Sequence, residues 1–135
     1  MDTAAKILII GGLGSLLFAF IMGFVLSRYR LADPMAPQER LLNVHVVSLW
    51  EGFMLLGLVW AVALSDLSAG VETLAAWLLI VSAVLQLAAS FLAWRQRLEN
   101  LFAPPRGLVY SMAAANATFG IAGLGILIVG AIKGL

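Results

Sequence analysis

The chain has no cysteine and a single histidine among its 135 residues. Without thiols there is no disulfide, no thiolate nucleophile, no iron–sulfur cluster and no haem attached through C-x-x-C-H. One imidazole cannot by itself build a zinc site, which takes three or four protein ligands. Charge is scarce as well. Only 11% of the residues are Asp, Glu, Lys or Arg, against about 25% in an ordinary soluble domain. The net charge of +1 says little about nucleic acid. No soluble basic surface is left to bind one, however, so none is expected as a partner.

What is present is apolar, with 63% hydrophobic residues gathered into four blocks at about 4–27, 41–64, 71–94 and 108–132. Crossing a hydrocarbon core takes about 20 residues. A backbone in lipid must satisfy its own hydrogen bonds, and long Leu- and Ala-rich runs do so as helices. The expectation is an all-α, integral-membrane four-helix bundle forming one domain over residues 1–135. The first block exceeds the roughly 7–15 apolar residues of a secretory signal and no A-x-A-like site follows, so it reads as a retained helix.

Six of the eight basic residues fall in two loops, Arg28, Arg30 and Arg40 in one and Arg95, Arg97 and Arg106 in the other. The loop between the second and third blocks carries Asp66 instead, with Glu72 just beyond. The positive-inside rule then places loops 28–40 and 95–107 in the cytoplasm of a bacterial-type inner membrane, with both termini on the far side. Tyr29, Trp94 and Tyr110 lie where an aromatic belt is expected.

The first helix has a small residue at every fourth position, Gly11, Ser15, Ala19, Gly23 and Ser27, which makes a groove for close helix approach in lipid. Leu16, Phe20 and Phe24 are expected on its lipid face. Asp33-Pro34-Met35-Ala36-Pro37 cannot continue a helix, and Pro104-Pro105 forms a second rigid connector. The last helix ends in a glycine-rich stretch, Gly120, Gly123, Gly125 and Gly130, suited to tight packing.

The polar residues inside the blocks are few, which makes their depth informative. At a rise of about 1.5 Å per residue, Glu51 lies roughly 15 Å deep and Gln86 and Asn116 roughly 12 Å, while His45 and Ser90 lie roughly 6 Å deep. Three helices thus bring polar side chains to one level, and a Glu51 that merely pins the bundle is expected to bond to Gln86 or Asn116 there. An intramembrane glutamate costs at least about 2.5 kcal/mol on insertion scales, so it is either a partnered pin or a functional group. On the second helix, His45, Ser48 and Gly52 share a face. A haem needs only one axial imidazole from the protein, since its porphyrin supplies four ligands. Gly52 and Gly57 are the positions at which a flat ligand could enter.

The run His45-Val-Val-Ser-Leu-Trp-Glu51-Gly52-Phe-Met-Leu-Leu-Gly57 resembles the second-helix signature of the styrene oxide isomerase and hydroxylaminobenzene mutase family. That signature is a histidine followed six and seven residues later by a polar residue and glycine, commonly Asn-Gly, where this chain has Glu51-Gly52. Gln86 falls at a second family asparagine, and Ser90 at a position where the epoxide isomerase has tyrosine. The resemblance implies a homotrimer with haem b held between subunits, His45 as axial iron ligand and a small aromatic, lipid-soluble substrate. It implies an isomerase or mutase, with Lewis-acid activation of an epoxide or arylhydroxylamine oxygen. In that reading Glu51, Gln86, Asn116 and Ser90 act on the substrate, and Arg28, Arg30 or Arg40 pairs with the haem propionates. Two other readings compete. One is a small proton-coupled exporter titrating Glu51, and the other an accessory subunit docking through the Gly11–Ser27 groove.

Overall fold

A computed structural model describes residues 2–100, 104 and 106–135. It is all-helical, with α1 over Thr3–Ala32, α2 over Glu39–Ala63, α3 over Ala69–Arg95 and α4 over Leu108–Gly134. All four are long and apolar enough to cross a membrane. Each begins and ends within a few residues of the corresponding apolar block, except at the end of α1. That helix runs on through Arg28, Tyr29 and Arg30 to Ala32. The reason is local: these residues are polar yet form helix readily, and the first breaker is Pro34. Asp33, directly before it, is extended at φ −145° and ψ 93°, as the proline ring requires. The connection to α2 is therefore six residues, 33–38, closed by a turn in which Met35 N–H donates to Asp33 Oδ1 at 3.2 Å. Pro105 lies outside the described residues, so the second proline connector is seen only at Pro104 and Arg106.

The helices form a lozenge. α1 packs chiefly on α2 and α4 chiefly on α3, α2 and α3 meet across the short diagonal, and α1 and α4 do not touch. At one end, Ala4 and Leu8 of α1, Leu55 and Val62 of α2, Ala75 and Leu79 of α3 and Leu127 of α4 share a core. At the other end, the arginine-bearing one, the core is made by Met22, Leu26, Leu41 and Val44 with Phe91 and Trp94 against it. No α4 residue belongs to this second cluster, although Val109 of α4 is buried near this end, so α4 contributes to the shared core chiefly at the far end.

Glycine sets the closest approaches. A β-carbon built on Gly12 would lie 3.0 Å from the Gly52 carbonyl oxygen, and one on Gly52 would lie 3.0 Å from that of Gly12. The two backbones thus cross in near contact, with Leu16 closing over Gly52 at 2.7 Å from that same β-carbon position. Leu16 therefore faces α2 and not lipid, whereas Phe20 and Phe24 point outward as expected. Gly52 is likewise no entry for a flat ligand, because α1 fills the space beside it; Gly57 is open. Gly120 and Gly123 do the same work between α4 and α3, meeting Ser82 and Leu79, while Gly125 faces open space. The small-residue groove of α1 is thus largely filled by the chain's own helices, with Ser27 at its end exposed.

This packing gives a direct test. Gly52→Leu must push Leu16 and α1 aside and should lower unfolding free energy in mixed micelles by about 1–3 kcal/mol. Gly57→Leu, with nothing within 4 Å of its built β-carbon, should leave the unfolding midpoint unchanged.

Candidate membrane-embedded site on the second helix

His45 sits one turn below Leu41 on the side of α2 that faces α1. Its Nδ1 lies 2.8 Å from the Ala19 carbonyl oxygen. A carbonyl can only accept, so Nδ1 carries a proton, and in the neutral ring Nε2 is the nitrogen with the lone pair. Gly23 makes room for the ring: a β-carbon there would lie 2.9 Å from Cε1 and 3.1 Å from Nδ1. Nε2 has no hydrogen-bond partner among the described residues. A fixed ring with Nδ1–H on a backbone carbonyl and a bare Nε2 is the arrangement in which imidazole ligates metals. Ser48, fully buried one turn on, turns its hydroxyl back to the Val44 carbonyl at 2.6 Å and offers nothing to a ligand.

Gln86 and Asn116 do meet at one depth, as their positions along α3 and α4 imply. Asn116 Nδ2 donates to Gln86 Oε1 at 2.6 Å, and Ser82 Oγ lies 2.6 Å from Asn116 Oδ1 and 3.1 Å from its carbonyl oxygen. This chain of bonds ties α3 to α4, and it takes up both polar ends of the asparagine side chain. Ser90 makes no hydrogen bond among the described residues.

Glu51 does not join that network. Its Oε2 is shielded from solvent and has no hydrogen-bond partner among the described residues. The expected bond to Gln86 or Asn116 is absent because depth fixes only the level of a side chain, not the direction in which it leaves the helix. Glu51 opens instead on a groove of about 460 Å³ walled by Trp50, Phe53 and Met54. Trp50 is 71% exposed there, far from the belt positions where tryptophan usually anchors. Six residues separate His45 from Glu51, a turn of about 240° and a rise of about 9 Å. The two groups consequently leave α2 on different sides.

The three arginines also separate. Arg28 and Arg30 are exposed on the last turns of α1, whereas Arg40 lines a cavity between the ends of α1, α2 and α3. Among the described residues no group of three or more His, Cys, Asp and Glu side chains comes together to hold a metal ion. Glu72 was legible only as a marker of sidedness, yet it is 4% exposed, at the far end of the bundle. It hydrogen-bonds the Asp2 carboxylate, which that bond and the Ala4 N–H hold below the ordinary carboxylate range.

The α3–α4 network has a measurable weight. A double-mutant cycle of Asn116→Ala and Gln86→Ala, read as unfolding free energy in micelles, should give a coupling of about 0.6 kcal/mol and at most about 1.7 kcal/mol. Additive effects would show that the pair does not hold the helices together. Searches against family models, curated proteins and solved structures find nothing that matches this chain.

Proposed function

We propose that the protein is a haem-dependent membrane isomerase that rearranges a small aromatic epoxide or arylhydroxylamine. The observation that carries this reading is His45, with Nδ1–H on the Ala19 carbonyl and Nε2 unpartnered. The donor chemistry fits a haem iron: one fixed imidazole, no competing thiolate, and no second histidine to capture another metal. His45 would hold the iron through Nε2, and Arg28 and Arg30, at the same end of the bundle, are the cations left for the propionates. Arg40 is turned into the end cavity and is the weaker candidate. When bound, ferric haem supplies a Lewis acid for the substrate's oxygen.

The residues of the chain do the rest. Trp50, Phe53 and Met54 take the aromatic body of the substrate and exclude water from it. Glu51 Oε2, lacking a protein partner, donates to or accepts from the migrating group and moves a proton at that atom. Gln86 and Asn116 keep the α3–α4 pair in place, and the free Gln86 amide is the only part of that network left to touch a substrate. The reaction is an isomerisation, so every atom and electron of the substrate ends in the product and no external reductant is needed.

Because His45 and Glu51 leave α2 on different sides, one protomer does not enclose both. A homo-oligomer in which one copy's His45 side faces the next copy's Glu51 side would bring them to one site. The outward Trp50 and the orphaned carboxyl oxygen on the same patch support a covered face. We place the arginine-bearing end in the cytoplasm and both termini outside, from the distribution of basic residues.

Protein purified from haem-replete cells should show a Soret band, and His45→Ala should abolish it. Glu51→Gln should keep the band while lowering turnover of an aryl epoxide or arylhydroxylamine by about 100-fold or more. A colourless wild type, or a Soret band that survives His45→Ala, would overturn the reading.

A second reading rests on the same orphaned carboxyl: a proton-coupled exporter, in which Glu51 exchanges a proton for a lipophilic cation held by Trp50 and Phe53. Vesicles carrying the protein should then release protons when such a cation is added, and Glu51→Gln vesicles should not. A flat pH trace from the wild type rejects it.

A further inference from the structure

At the arginine-bearing end, the last turns of α1 and α3 and the start of α2 surround a cavity of about 540 Å³. Tyr29 and Trp94 form one wall, edge to face with ring centres 6.3 Å apart. Behind Trp94 the aromatic contact continues to Phe91 at 5.4 Å and from Phe91 to Phe18 at 6.4 Å, packed against the core beneath the cavity. The guanidinium-bearing residues Arg40, Arg95 and Arg97 line the same space. None of the three makes an ion pair among the described residues, and only Arg95 has an aromatic neighbour, Trp94 at 5.8 Å. α2 also begins here without a side-chain cap, its first residues Glu39, Arg40 and Leu41 lining the same space.

Arg97 occupies a conformation that disfavours it. Arg97 N–H donates to the Trp94 carbonyl at 3.2 Å and Leu98 N–H to that of Ala93 at 3.1 Å. This is the double bond of a Schellman motif, whose left-handed position is usually glycine. Arg97 fills it at φ 53°, the one non-glycine residue with positive φ among those described. An arginine kept where glycine would relax the backbone points to a use for the guanidinium.

Glu39 and Glu99 also line the cavity. Three arginines less two glutamates leave a single positive charge, which balances a monoanion. A phosphodiester is such an ion, whereas a phosphate monoester carries about −1.5 to −2 at neutral pH. Arginines present paired donors to phosphate oxygens, and basic pockets between membrane helices at one face of the bilayer suit anionic headgroups. We propose that this cavity binds the phosphodiester headgroup of an anionic phospholipid, phosphatidylglycerol being the simplest, with its acyl chains leaving past Tyr29 and Trp94.

The full chain, delipidated in detergent, should retain phosphatidylglycerol in native mass spectrometry and unfold at a higher temperature with it. Phosphatidylcholine and inorganic phosphate, tested separately, should do neither. Arg97→Gly removes the guanidinium while relaxing the backbone, so it should unfold no earlier than wild type in lipid-free detergent. Its affinity for phosphatidylglycerol should nevertheless fall about fivefold, the weight of one arginine near an anionic membrane surface. Wild-type affinity in Arg97→Gly, or equal binding of phosphatidylcholine, would overturn the proposal. An equal shift from inorganic phosphate alone would overturn it too, by assigning the cavity to a soluble phosphate.

Discussion

Everything at the candidate site depends on how closely α1 approaches α2. In lipid there is no water to expel between helices, so association rests on packing and on the few polar bonds available. Here the approach is set by two glycines whose carbonyls nearly touch the opposite backbone. One consequence lies about two turns away. The Ala19 carbonyl comes within reach of the His45 ring, and Gly23 leaves the space in which that ring lies. The carbonyl has two lone pairs, one already used by its own helix, and the second takes the imidazole proton. A weak packing contact thereby decides which nitrogen of the only histidine carries a lone pair.

The remaining polar groups divide between holding and exposing. Ser82, Asn116 and Gln86 satisfy one another and bind α3 to α4, which otherwise touch through small residues and aliphatic side chains. Glu51 is left out, with one oxygen shielded and unpaired beside three large apolar side chains. Leaving a buried polar atom unpaired costs about 1–3 kcal/mol, which a purely structural position would have no reason to bear. The polar layer is thus two separate features at one depth, a brace in α3–α4 and an open group on α2. A bundle whose fourth helix packs chiefly on α3 leaves the outer side of α2 free to present that group.

Much of this was legible in the residues. Block length and composition led to four spanning helices, because a hydrocarbon core leaves the backbone almost no alternative. The end of α1 was misplaced since a drop in hydropathy at Ser27 does not stop a helix, whereas Pro34 does. Gln86 and Asn116 were found by depth alone, since facing helices at equal depth have each other as the nearest polar partners. The same reasoning failed for Glu51, because rise along a helix carries no information about azimuth unless the neighbours are known. Gly52 was ambiguous for a physical reason: a missing side chain admits a ligand or another helix equally well. The Ala19 contact with His45 had no signal at all, since any residue offers a carbonyl.

The central claim, that His45 holds Nδ1–H on the Ala19 carbonyl and leaves Nε2 free, can be read without assignment because the chain has one histidine. Nitrogen-15 NMR of ring-labelled protein in lipid bilayers should show one protonated nitrogen, Nδ1, and one bare nitrogen, Nε2, with the imidazole signals lost or strongly shifted on adding haem. A proton on Nε2, or a spectrum that haem leaves unchanged, would contradict the account.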